Sequence, residues 1–167
     1  MSVKDFVQQR RDALIAMRRD FHMYPEPAWL EYRSATKVAD RLISLDYDVA
    51  LGADVLDLDS RMGLPSDEVM KAAMDRAIKE GANPELVEKM GYGKTAIVAT
   101  MKFGGEGPVV AFRVDMDSND VIEAKDDNHV PAKGGFRSCH DKAMHACGHD
   151  AHMTMGLGLA EYLSAHK

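Results

Sequence analysis

At 167 residues, with 46% apolar and 29% charged side chains, the chain has enough material for one domain with a real core. A formal net charge of −6, with no basic stripe to neutralise phosphates, argues against a nucleic-acid partner. Residues 1–20 are too charged for a signal-peptide core, and no apolar run approaches a membrane span, so a cytoplasmic protein with no membrane partner is expected.

In chain order, Val3, Phe6, Val7, Leu14, Met17 and Phe21 recur close to helical spacing, predicting a helix over 3–21. The segment His22 to Trp29 follows, with Pro25 and Pro27 forcing an extended turn. An ordinary loop whose Trp29 packs into the core accounts for it as well as a site role does. A second helix is expected over 31–45, with Ala35, Val38, Ala39, Leu42 and Ile43 on its buried side. Residues 47–51 read as a short strand.

Residues 52–93 read as a helical insertion, with helices at 67–80 and after Asn83-Pro84-Glu85, a cap followed by proline in the first turn. Only amphipathic helices are legible there, with no chemistry-bearing motif. Residues 95–103 and the apolar run 109–114 are expected as strands, paired antiparallel across the turn at 104–108. A last helix is expected over 151–166. Helices interleaved with strands indicate an α/β fold, a mixed sheet with flanking helices.

Two cysteines, Cys139 and Cys147, are too few for a disulfide framework. Five of the seven histidines (His129, His140, His145, His149 and His152) fall between residues 129 and 152. In Met144-His145-Ala146-Cys147-Gly148-His149-Asp150, Cys147 and His149 are two apart and leave one face of an extended segment. Gly148 between them permits a tight backbone. Thiolate and imidazole both suit zinc-like ions, and imidazole also accepts manganese. The helix N-terminus that follows favours an anionic Cys147, and Asp150 is placed to cap that helix or to orient a ligating imidazole. The competing account, a small core cysteine among surface histidines, suits any one of these residues better than all of them together.

Arg113-Val114-Asp115-Met116-Asp117 ends the apolar run, so Asp115 and Asp117 share one face and can both look at a metal. No G-x-S-x-G elbow is present. Gly91-Tyr92-Gly93-Lys94-Thr95 lacks the upstream glycine of a phosphate loop and precedes a strand instead of a helix.

Arg18-Arg19-Asp20-Phe21-His22-Met23-Tyr24-Pro25-Glu26, Phe112-Arg113-Val114-Asp115-Met116-Asp117 and Met144 to Asp150 together resemble, in order and spacing, the M20 metallopeptidase family. The likeness is to its amidohydrolase branch of aminoacylases, hippurate hydrolases and indoleacetyl-amino-acid hydrolases. Ser60 to Pro65, Phe136 to Cys139 and residues 107–117 are most similar to the members that cleave p-aminobenzoyl-glutamate.

The resemblance implies metal-dependent hydrolysis of an amide between an acyl or aromatic group and an amino acid. It implies one or two divalent ions, manganese or zinc, with Cys147 and His149 as ligands and Asp117 as the acidic catalytic residue. Asp115, His145 and Asp150 are the candidate supporting residues; Asp115 stands where related branches carry a ligating histidine. An N-acyl amino acid substrate and a homologous B subunit, or a second copy of the chain, are the implied partners. The chain corresponds to the N-terminal part of a metallopeptidase catalytic domain. The general base, a glutamate of a Glu-Glu pair, and the lid or dimerisation domain are expected beyond residue 167. The isolated chain is therefore expected to be inactive, and the alternative is a non-catalytic fragment or binding subunit that keeps the fold.

Overall fold

A computed structural model describes residues 1–167. Helix α1, Val3–Met23, starts at Ser2, whose hydroxyl accepts from the Asp5 amide at 3.2 Å. Helix α2, Tyr32–Ser44, is the centre of the molecule: Tyr32, Ser34, Ala35, Thr36 and Ala39 are all buried. Ala35 and Ala39, one turn apart, leave space for neighbouring helices to approach closely. Strand β1 is Asp48–Leu51, and a 3-10 turn, Gly52–Val55, follows it.

Helix α3, Asp67–Lys79, is capped by Ser66, and α4, Pro84–Met90, by Asn83 with proline in its first turn, as the cap pattern predicts. Strand β2 is Ile97–Thr100, shorter than the expected 95–103. A short helix α5, Val130–Lys133, has no counterpart among the expected elements, and α6 runs His149–Ser164. No helix is long and apolar enough to cross a membrane.

Two apolar clusters flank α2. Tyr32, Ala35 and Ala39 pack with Met70, Ala73 and Ala77 of α3, Val87 and Met90 of α4, and Leu51. On the other side Phe21 and Leu42 pack with Met153, Leu157 and Ala160 of α6. Val49 and Ile97 of the sheet touch both clusters. Helices thus flank a sheet, as the α/β reading requires, and the sheet within this chain is a two-stranded antiparallel β1–β2 pair, Leu51 opposite Ile97.

Two local expectations are corrected. Residues 109–114 form no strand, and β2 pairs with β1 and not with them. Val109 is 100% exposed and Phe112 64%. A run that is apolar on both faces is held as a strand by layers on both sides and by a ladder partner, and here only Val114 packs, against α6. Trp29 is not a core residue. It is half-buried at φ 68°, and its indole N–H donates to the Met62 carbonyl at 2.9 Å, joining the 22–30 turn to the 52–93 segment.

Candidate metal site

Three chain segments converge at the N-terminus of α6. The Ser118 amide donates to Glu26 O at 2.8 Å, which fixes residues 117–118 against the turn after α1. Asn119 and Met144 exchange two backbone hydrogen bonds of 3.0 Å, which bring the 144–149 segment alongside. Gly148 then turns the chain into α6 at φ 88°, a left-handed conformation that glycine adopts without strain.

These constraints put Asp117, Cys147 and His149 in contact. His149 Nδ1 lies 2.9 Å from Asp117 O and 3.0 Å from its Oδ1. Both are acceptors, so Nδ1 carries the proton and Nε2 keeps the lone pair, the arrangement of a metal-binding imidazole held by a carboxylate. The Cys147 thiol is exposed, 3.7 Å from the same Asp117 carbonyl and beside the positive end of α6. Donor atoms of Asp115, His149 and His152 lie within 4.8 Å of one another, and the His149 and His152 rings stack at 5.0 Å. His152, part of the histidine cluster in the sequence but not singled out there as a ligand, joins this group because its i+3 spacing from His149 within α6 places both on one face. Arg113 donates to Asp115 at 2.8 and 3.1 Å and holds that carboxylate at the rim.

The other two supporting candidates sit deeper. His145 is 3% exposed, and neither ring nitrogen has a hydrogen-bond partner. Burial, with help from His22 and His149, pushes its pKa down to about 4 against the pull of Asp150 and Asp117, so the ring is neutral. Asp150, fully buried, accepts from His22 Nδ1 at 2.7 Å, from Arg18 Nε at 2.9 Å and from the Ala151 amide at 2.8 Å. It orients His22 and accepts the amide of the next residue in the first turn of α6, whose N-cap is Gly148, and it holds no imidazole of the Asp117–His149 group.

His22 is itself bracketed, because Nε2 meets Glu123 Oε1 at 2.9 Å. Glu123 also takes His129 Nε2 at 2.7 Å and the Ser138 amide. Burial lowers the His22 pKa, but the bonds to Asp150 and Glu123 outweigh it and the net direction is upward. Burial likewise opposes ionisation of Glu123, yet His22 and His129 hold its pKa below the ordinary range. No local pattern marks this relay in the sequence, because its members come from α1, α6 and the 118–147 segment.

Glu26, fully buried, accepts the Arg33 and Ser34 amides at 2.9 and 2.8 Å, and burial still drives its pKa up to about 7. Glu31 accepts from the Thr95 hydroxyl at 2.6 Å; burial raises its pKa, and nearby Asp117 adds to the rise.

The donor set of thiol, imidazoles and carboxylates suits a divalent ion of the zinc or manganese kind. The unpartnered nitrogens of buried His145 mark the same region as short of a polar partner. Asp115, His149 and His152 have donor atoms close enough to share such an ion, while Cys147 lies against the Asp117 carbonyl and is not within that group.

Residues 111–167 match the model of peptidase family M20/M25/M40. The chain is 46% identical to a p-aminobenzoyl-glutamate hydrolase subunit of Escherichia coli K12, across 97% of this chain and 37% of that protein. It is 44% identical to indole-3-acetyl-aspartic acid hydrolase of Enterobacter agglomerans, across 98% of this chain and 38% of the relative. The crystal structure of an aminobenzoyl-glutamate utilization protein from Klebsiella pneumoniae superposes with a TM-score of 0.79 at 37% identity, over 99% of this chain and 36% of that one. The chain thus spans under two-fifths of the length of these relatives. Residues 111–167 thus carry the M20 peptidase family match, and the chain as a whole is similar in sequence and fold to the N-terminal portion of hydrolases of that kind.

Proposed function

We propose that this chain supplies part of the catalytic domain of a metal-dependent amide hydrolase acting on an N-acyl amino acid of the p-aminobenzoyl-glutamate class. The observation that carries the proposal is the meeting of Asp117, His149 and Cys147 at the start of α6. A bound divalent ion, manganese or zinc, supplies Lewis acidity and a water acidified towards neutral pH. Cys147 and His149 would hold one or two such ions, with Asp115 and His152, whose donor atoms lie within 4.8 Å of that of His149, as further ligands. Asp117 keeps the proton of His149 on Nδ1 and presents Nε2. The His22–Asp150 pair fixes the first turn of α6 and with it the position of His149.

A hydrolase of this kind also needs a proton acceptor for the attacking water. The buried glutamates here have partners: Glu26 two amides, Glu31 Thr95, Glu123 two histidines and Ser138, and Glu161 the guanidinium groups of Arg10 and Arg41. Following the family resemblance and the partial coverage of the relatives, the base is assigned to a segment outside residues 1–167, and the chain alone is expected to be inactive. A homologous B subunit or a second copy is the proposed partner. The test is to assay release of p-aminobenzoate and glutamate by the chain alone and by the chain joined to the remaining segment of a full-length relative, with and without a chelator. Chelator-sensitive release by the complemented protein alone is expected; its absence would overturn the proposal.

A second reading, a non-catalytic binding subunit, draws on the exposed apolar side chains of Val109, Val110 and Phe112. Metal content together with oligomeric state separates the two. A folded, metal-free chain favours the second.

A further inference from the structure

A second group of metal-ligating side chains lies away from Asp117 and His149. Glu80, the residue that ends α3, meets Cys139 and His140, and one donor atom of each lies within 4.8 Å of the other two. His140 Nδ1 is 2.7 Å from the Pro25 carbonyl, which can only accept, so Nδ1 carries a proton. In the neutral ring, Nε2 is then a lone pair, and it points at Glu80 Oε1 from 2.8 Å. Two acceptors would face each other there, so either a proton or a bound cation lies between them. The other carboxylate oxygen, Glu80 Oε2, is buried with no partner at all.

The scaffold around the trio is fixed. The Cys139 amide donates to Met23 O at 2.9 Å, and the His140 amide and carbonyl both bond the Ser138 hydroxyl, at 3.0 and 2.9 Å. The Glu80 carbonyl accepts from Arg33 Nε at 3.0 Å, and its amide closes the last turn of α3. The Cys139 thiol is exposed, so solvent reaches the open side. His140 also lines a pocket shared with Arg76, Asp120 and Lys142.

We propose that Glu80, Cys139 and His140 form a binding site for a thiophilic divalent cation such as zinc, with solvent in the fourth position. A backbone carbonyl holding the far nitrogen of the imidazole is the usual support for a metal-binding histidine. One carboxylate and one thiolate offset the ion's two charges, with the Arg33 and Arg76 guanidinium groups nearby, and the thiol proton leaves to solvent. Without a cation, burial and the Glu80 carboxylate push the Cys139 thiol pKa up, against Arg33 and Arg76. A cation between the two reverses that effect. Ligand atoms around a zinc-sized ion are about 3.3 Å apart, so the Glu80–His140 contact opens by about half an ångström on binding. The ion would tie the end of α3 to the 118–147 segment, across a sequence gap of 60 residues.

The competing account is an imidazolium–carboxylate ion pair with a bystander thiol, and cobalt separates the two. In the Cys147→Ser protein Cys139 is the only thiol, so any thiolate-to-cobalt charge-transfer band arises from it. One equivalent of Co²⁺ with such a band is expected in the 167-residue chain. Adding Cys139→Ser should abolish it, and Glu80→Gln or His140→Gln should weaken binding at least about tenfold, with far-ultraviolet circular dichroism unchanged. Native mass spectrometry of the unsubstituted chain gives an independent reading: Cys139→Ser alone should remove one zinc per chain. The trio is an ion pair only, and the proposal is overturned, if Cys147→Ser shows no thiolate band or if the band survives both Glu80→Gln and His140→Gln. Neither result bears on amide hydrolysis at Asp117 and His149.

Discussion

His22 Nδ1 lies 2.7 Å from the carboxylate of Asp150, a pair fully buried and 128 residues apart in sequence. Arg18 reaches the same carboxylate, and Glu123 takes the other face of the imidazole. One histidine thereby joins α1 to the first turn of α6 and to the segment that carries Asp117.

Removing one member of this group leaves a buried charge uncompensated. Asp150→Asn or His22→Gln is expected to cost about 3–5 kcal/mol of stability by urea unfolding at neutral pH. The signs in pH follow from the shifts. The His22 pKa is raised above 6.5, so its contribution is fully present below that value and is lost as pH rises through the folded pKa. Asp150 and Glu123 are lowered, so theirs is present above about pH 4 and is lost on acidification. A wild-type-like unfolding midpoint in His22→Gln would remove the relay from the account of stability.

Glu26 acts in the opposite sense to a paired carboxylate. Its folded pKa of about 7 exceeds the ordinary 4.5, so the folded state holds a proton that the unfolded state releases. Stability from this group is present below pH 4.5 and declines as pH rises to 7, by about 3 kcal/mol in all. Urea unfolding at several pH values should show this fall in the wild type and its absence in Glu26→Gln. Equal slopes in the two proteins would show that Glu26 does not hold its proton.

Gly156 lies inside α6, where alanine ordinarily gains about 1 kcal/mol. A Cβ there would sit 2.7 Å from Val114 Cγ2. Gly156→Ala is therefore expected to destabilise by about 1–3 kcal/mol, and Val114→Ala to restore part of the loss in a double-mutant cycle. Additive effects in thermal unfolding would contradict the contact.

Asp117 holds His149 by backbone and carboxylate together. Asp117→Asn keeps an acceptor but removes the charge, and a drop of about 10–100-fold in divalent-ion affinity is expected by isothermal titration. His149→Ala should lose more, since it removes the ligand itself. Unchanged affinity in both variants would move the ion elsewhere.

Local chemistry makes much of this legible from the sequence alone. Asn83-Pro84 marks a helix start because a side-chain oxygen satisfies orphan amides within three residues. Cys147 and His149 declare themselves by a spacing of two, and Asp117 by its place after an apolar run. Other features depend on neighbours that a sequence does not reveal. Residues 109–114 carry the composition of a covered strand, but composition cannot supply the covering layers, and Val109 and Phe112 stand in solvent. Asp150 reads in the sequence as a partner for a ligating imidazole, and its partner in the fold is His22. The 52–93 segment shows no chemistry by itself, and Glu80 acquires it only where the fold sets it 2.8 Å from His140. Caps and ligand pairs a few residues apart are determined by sequence because the chain can bring them no farther away than its own geometry allows. Pairings across 60 to 128 residues are decided by how α1, α3 and α6 pack around α2.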